Sequence, residues 1–223
     1  GGTTNWEWSA PWGQTNAFYK SGATSWADSP VGSYSDNTDT ALTTSISLAN
    51  AASPVLTFWH KFGLEESKDF GYVEVSTDAG ATWTKIFSAT GTEDWNQERV
   101  DLNPYRGKVI GLRFRLVSNA SIAGDGWYID DVNIADAPIS TGYPFADDVE
   151  GGLGVWFYGS PWSQTKALYH SQTTSWTDSP FGDYANSADT SIRIAIDLST
   201  AIMPMLEFWH RYSLQENADY GYV

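Results

Sequence analysis

The chain repeats itself at a fixed distance. Pro11-Trp12-Gly13-Gln14-Thr15 returns as Pro161-Trp162-Ser163-Gln164-Thr165, and Ser25-Trp26-Ala27-Asp28-Ser29-Pro30 as Ser175-Trp176-Thr177-Asp178-Ser179-Pro180. Phe58-Trp59-His60 returns as Phe208-Trp209-His210, and Gly71-Tyr72-Val73 as Gly221-Tyr222-Val223. Every pair is 150 residues apart, with no insertion or deletion between Pro11 and Val73, and about half of the positions in that window are identical. A solenoid repeat is about 20 to 50 residues long, so a repeat of this length is a domain in its own right. The expected layout is a first unit over 1–137, a linker over 138–144, and the N-terminal half of a second unit over 145–223.

Strand signals fill the units, and no segment sustains a helical period. Val55 to Phe62 alternates and is rich in β-formers, as is Gly71 to Ser76. Val109 to Leu116 puts Ile110, Leu112, Phe114 and Leu116 on one face and Arg113 and Arg115 on the other, the pattern of an antiparallel strand with one wet side. Further strands are expected at Thr43 to Leu48, Thr82 to Phe87, Gln97 to Leu102 and Trp127 to Ile134. Short strands separated by turns such as Asp78-Ala79-Gly80 predict an all-β sandwich or barrel. Ser76-x-Asp78-x-Gly80-x-Thr82-Trp83 reads as an Asp-box hairpin, with Trp83 expected to anchor it to the core.

Composition narrows the function classes. Twelve Trp and twelve Tyr supply a large packed area. The net charge of −15 argues against nucleic acid and anionic membranes as partners and is compatible with bound cations. With no cysteine, a disulfide framework, a thiolate metal site and a cysteine nucleophile are excluded. No apolar run reaches the length of a membrane span and no signal peptide is seen, so membrane insertion is not expected. Gly1-Gly2 matches Gly151-Gly152, which places the start of the sequence inside its repeat.

The pattern Trp59-His60, Glu65-Glu66, Asp69-x-Gly71-Tyr72-Val73-Glu74-Val75-Ser76-Thr77-Asp78-x-Gly80-x-Thr82-Trp83, Arg113-Phe114-Arg115-Leu116 and Asp125-Gly126-Trp127-Tyr128-Ile129-Asp130-Asp131-Val132 resembles a known family. These are the MAM-related jelly-roll domains appended to secreted bacterial metalloproteases of the immune inhibitor A type. Phe145-x-Asp147-Asp148-x-Glu150 resembles the family's opening segment. The resemblance implies tandem antiparallel jelly-roll β-sandwich domains, the first lacking its opening strand and the second incomplete. It also implies an extracellular or cell-surface location and a cation site near the terminal strands. No His-Glu-x-x-His is present, and the chain is not expected to be an enzyme.

Calcium is the expected cofactor, because it takes six to eight hard oxygen ligands. The first candidate set is Asp130, Asp131, Asp147, Asp148 and Glu150, at the closing and opening strands of a unit. Two such clusters on neighbouring strands repel unless a cation joins them; strand-end hydrogen bonds are the competing account. The second set lies in loops: Asp28, Asp39, Glu66 and Asp69, retained as Asp178, Asp189, Glu216 and Asp219. Turn-forming hydrogen bonds compete with a second calcium there. Asn119-Ala120-Ser121 is an N-glycosylation sequon. His60, retained as His210, reads as a hydrogen-bonded structural histidine.

Trp12, Tyr19, Trp26 and Tyr34, retained as Trp162, Tyr169, Trp176 and Tyr184, are either core or a carbohydrate platform. The sequence therefore points to an extracellular tandem-repeat structural or adhesive protein (a filament, stalk or adhesin) stiffened by calcium. Its expected partners are further copies of the repeat, in the same or neighbouring chains, and polysaccharide. The alternative is a carbohydrate- or protein-binding accessory module of a secreted hydrolase.

Overall fold

Alternation along three strands builds the first unit. In the computed structural model, which describes residues 5–137, 141–151, 155–158, 161–180 and 182–223, β5 (Pro54–Gly63) turns Leu56, Phe58, His60 and Phe62 inward. β9 (Val109–Val117) faces them with Ile110, Leu112, Phe114 and Leu116. β10 (Gly126–Asp136) adds Trp127 and Ile129. Each large side chain buried this way contributes roughly 1.5–3 kcal/mol.

The remaining strands flank these. They are β1 (Glu7–Trp8), β2 (Gly13–Thr15), β3 (Ser25–Ala27), β4 (Asp39–Ser47), β6 (Phe70–Ser76), β7 (Thr84–Ala89) and β8 (Thr92–Asp101). The second unit supplies β11 (Phe157–Tyr158), β12 (Ser163–Thr165), β13 (Ser175–Thr177) and β14 (Ile192–Arg193). One sheet runs β1-β4-β9-β6-β7, a second β14-β11-β8-β5-β10-β3-β2, and β12 and β13 form a separate two-stranded sheet. Among the described residues the only helical element is one short 3-10 turn at Asn103–Tyr105. The architecture is an all-β antiparallel jelly-roll sandwich followed by an incomplete second copy.

The seven long expected strands are present, with β4, β8 and β10 extending beyond their expected bounds. Strands of three residues such as Gly13–Thr15 and Ser25–Ala27 are too short to show a period. In the second unit 203–212, the counterpart of most of β5, has no strand and is exposed. In the first unit β5 is held by β8 and β10, and among the described residues 203–212 has no such paired strands. Of the expected linker 138–144, residues 138–140 lie outside the described residues, as do Gly1, Gly2 and Gly152.

The Asp-box forms the expected hairpin turn. Gly80 N–H donates to Ser76 Oγ at 2.8 Å and Thr82 N–H to Asp78 Oδ1 at 2.9 Å, while Gly80 takes φ 90°. Trp83 does not enter the core. Its Nε1–H bonds Gly80 O, and its ring lies under the Arg113 guanidinium at 4.1 Å, next to Gly111. Trp83 follows the turn onto the outer face of the five-stranded sheet, the face that carries Arg113.

Trp127 sets the sheet spacing at Gly71, where an added Cβ meets the Trp127 ring at 2.7 Å. Gly71→Ala should therefore destabilise the protein by roughly 1–3 kcal/mol, as overpacking does. The shift in the urea midpoint at unchanged slope measures this.

Candidate functional site

All of the closing- and opening-segment carboxylates but Asp147 converge on one loop, seen half in each unit. In the first unit Asp130 Oδ2 accepts from the backbone N–H groups of Lys20 and Ser21 at 2.8 and 3.1 Å. Asp131, at φ 47° where β10 slips against β5, accepts from Ser21 Oγ at 2.6 Å. In the second unit Glu150 accepts from the hydroxyl and N–H of Thr173 and from Thr174 N–H. Those bonds, the Thr173 hydroxyl foremost, hold its carboxyl down at about 2. Asp148 accepts from Gln172, and Asp147 from Trp156 Nε1–H. Residues 172–174 are the counterparts of 22–24, so both halves address the loop between β2 and β3.

The loop acids have separate structural attachments. Asp39 makes a two-pronged pair with Arg115 at 2.7 Å, and that guanidinium lowers its pKa. Asp69 accepts from Tyr34 Oη at 2.6 Å and Asn119 N–H at 2.8 Å. Asp219 repeats the tyrosine bond with Tyr184 at 2.6 Å. Asp178 accepts from Ser179 Oγ at 3.0 Å. Asp189 lines a cleft of about 270 Å³ beside Phe157 and Arg193. Glu66 and Glu216 are exposed. Asn119 is half-buried; its amide donates to Glu65 and its oxygen accepts from Ser121.

Asp28 is fully buried. Its Oδ1 accepts from Trp127 N–H at 2.6 Å, while Oδ2 has no hydrogen-bond partner. Burial pushes its pKa up to about 7, against the hydrogen bonds from Trp127 and Ser29 that lower it.

Among the described residues, one group of three ionisable side chains lies close enough to share an ion, and sequence reasoning missed it: His60, Glu93 and Glu98. His60 Nε2 lies 3.7 Å from Glu93 and 3.6 Å from Glu98. Trp127 Nε1–H donates to His60 Nδ1 at 3.2 Å, so the neutral ring carries its proton on Nε2, facing both carboxylates. A metal on Nε2 would move that proton to Nδ1 and set it against the indole N–H. At these distances Nε2 makes no hydrogen bond to either carboxylate, and the tautomer set by Trp127 disfavours an ion there. The group is hidden in the sequence because Glu93 and Glu98 belong to a strand with no sequence link to His60.

The retained aromatics divide. Trp12, Trp26 and Tyr34 are core, whereas Tyr19 and Tyr169 are exposed. A different residue occupies the outer face of the seven-stranded sheet. Trp59 points away from the core, beside Gln97, and Lys20 Nζ covers its ring at 3.7 Å. In the second unit His170 stacks on Trp209 at 3.9 Å, with the rings 9° apart. The loop residue at this position thus covers the same tryptophan in both copies, as Lys in one and His in the other. On the other sheet, Phe70 and Tyr72 stack at 5.6 Å with Lys85 over Tyr72.

The fold is an all-β sandwich with carboxylates gathered at a strand-end loop. The sequence profile of the immune inhibitor A-like MAM domain matches residues 20–158, more than half of the chain, and the chain belongs to that family. It is 35% identical over 140 residues to Bacillopeptidase F of Bacillus subtilis (strain 168), covering 61% of this chain and 10% of that protein. The chain thus spans about a tenth of that relative's length. Among solved structures it is similar to a family 16 carbohydrate-binding module (19% identity, 59% of this chain and 90% of that one, TM-score 0.41). It is also similar to a cleaved adhesin domain of Lys-gingipain from Porphyromonas gingivalis (20%, 51% and 75%, TM-score 0.38). A third is a family 22 carbohydrate-binding module of Clostridium thermocellum (14%, 63% and 92%, TM-score 0.44).

The buried Asp28 makes stability depend on pH in a defined direction. Its folded pKa of about 7 lies above the ordinary 3.8, so its contribution is full below about pH 4 and is lost as pH rises through about 7. A difference of that size corresponds to on the order of 4 kcal/mol. Asp28→Asn keeps an acceptor for Trp127 N–H and removes the charge. In chelator, wild type should lose stability relative to Asp28→Asn between about pH 4 and pH 8. Urea unfolding at both ends measures it, and a pH-independent difference contradicts the assignment.

Proposed function

We propose that the chain is a non-catalytic, extracellular accessory module of a larger protein, binding polysaccharide through the outer face of the seven-stranded sheet. The observation that carries this reading is the repeated cover on one tryptophan position, Lys20 over Trp59 of β5 and His170 over its counterpart Trp209. A flat indole face flanked by Gln97 and Lys61 offers stacking area together with polar groups to orient a ligand. Displacing one flexible lysine exposes it. Family membership and the relation to part of a peptidase support an accessory role beside a hydrolase.

The test is retention on a polysaccharide panel, followed by titration of Trp59→Ala and Tyr72→Ala. Trp59→Ala should weaken binding at least tenfold, about 1.4 kcal/mol or more, with an unchanged melting temperature. Tyr72→Ala should bind as wild type. Loss with Tyr72→Ala instead moves the site to the other sheet, and no retention by wild type ends the polysaccharide reading.

Calcium belongs to the same proposal. Asp130, Asp131, Asp148 and Glu150 present only oxygen ligands toward counterpart loops of the two copies, and a unit with both its opening segment and its closing strand would bring both halves to one loop. Such a set suits a hard cation. Placing the 145–150 sequence ahead of Gly1 should create a complete site. Calcium at about a hundred times its dissociation constant should then add about 2.7 kcal/mol, removed by chelator. An unchanged melt of that extended chain contradicts the site.

The filament or stalk role is a second reading. It is favoured by the strand of the second unit that joins the sheet of the first.

A further inference from the structure

β8 is the last of the first unit's own strands in the seven-stranded sheet, and a bare edge of that kind is a template for another strand. Here the second unit occupies it. Tyr158 pairs in parallel with Val100. Arg99 N–H donates to Tyr158 Oη at 3.2 Å, and that hydroxyl donates to Glu98 Oε2 at 3.4 Å. Burial and the neighbouring Glu98 keep the Tyr158 phenol well above its ordinary pKa, so it holds the proton this bond needs. Phe157 is buried against Val55 and Ala137, and the Arg99 guanidinium lies 5.0 Å over its ring. Arg193 pairs with Asp101 across the same boundary.

The docked strand is an element of the repeat. β1 pairs with β4 through Glu7↔Thr43 and Trp8↔Leu42, and β11 pairs with β14 through Phe157↔Arg193 and Tyr158↔Ile192. The two registers are identical at the 150-residue offset. In the first unit this strand is an edge of its sheet, with Trp8 45% exposed. Both ends of the intervening segment are also tied down. Ala137 N–H bonds Ser53 O in the first unit, while Thr141 exchanges bonds with Ala195 and Asp197 in the second.

We propose that the outer edge of β8 is a docking surface for the first strand of the following copy of this unit, and that this joint sets the angle between consecutive copies. Parallel pairing over so few residues is weak by itself. The phenol between Arg99 and Glu98, the buried Phe157 and the Arg193–Asp101 pair hold it in register. The inference does not depend on what the Trp59 face binds, and its readout is separate from ligand retention.

The reporter is the Arg99 amide, which points away from β5 to the Tyr158 hydroxyl. Its hydrogen exchange would be measured in the full 223-residue chain, with the Trp127 indole resonance showing that the first unit is intact. Tyr158→Phe removes the acceptor and should speed Arg99 exchange at least tenfold, the scale expected for a lost local bond. Tyr158→Asp should release the strand, exposing the amides of Phe157 and Tyr158 as well, and Arg193→Glu should act in the same direction. Wild-type protection at Arg99 in Tyr158→Asp overturns the joint. If Tyr158→Asp disturbs the Trp127 resonance, Tyr158→Phe decides alone: faster Arg99 exchange supports the joint and unchanged exchange overturns it.

Discussion

The Trp127 indole holds the two sheets in register. Its ring packs edge-on against Trp12, Phe114 and His60, and its closest approach is to the bare backbone of Gly71. A buried indole also needs a partner for its N–H. Here His60 Nδ1 accepts it, which fixes the ring proton of His60 on the side of Glu93 and Glu98. At the other end of the same residue, the backbone N–H is taken by Asp28. One residue thereby joins β10 to β5, to the β3 end of the sheet and to the facing sheet. Two otherwise costly buried carboxylates, Asp28 and Glu98, lie at most one residue from it.

That connection runs outward to the repeat boundary. Glu98 meets His60 on the inner side and Tyr158 of the next unit on the outer side. Packing inside one sandwich and docking of the next thus share a carboxylate. Retention between the copies has two physical origins. Tyr34–Asp69 and Tyr184–Asp219 make the same bond and brace the same loop, also where most of the second sandwich has no strands. Asn37 and Ser187, and likewise Ser67 and Asn217, share positive φ at matching positions, so these turns are set locally.

Much of this is legible in the chain itself. Long alternating segments mark β5, β6 and β9, because one face is apolar and the other wet. The Asp-box turn is legible because its hydrogen bonds are local. Trp83 departs from its expected place because a tryptophan after a turn can lie on either face of a sheet, and only the Arg113 side chain opposite decides. The acids are recognisable as a set, but Asp39 and Asp69 are held by Arg115 and Tyr34, partners distant in sequence. The aromatic set holds three core residues. Trp59 stands out only as part of the family pattern, since its exposure depends on which way the β5 alternation faces. His60, Glu93 and Glu98 carry no local signal, as a strand-to-strand register brings them together.

The joint and the proposed binding face share one sheet, so each limits the other. Phe157 covers the Val55 end of β5, while the loop carrying Phe18 and Lys20 covers Tyr128 and Trp59. Between them, Thr57 and Gln97 stay half-open beside Trp59. A ligand lying along this strip has the next unit at one end and a displaceable lysine at the other. In a tandem array docked as proposed, the strand would close one end of each strip and limit the direction in which a long chain could cross it. A single unit with a bare β8 lacks that wall. The repeat, which first appears as simple duplication, becomes part of the shape of the surface each unit presents.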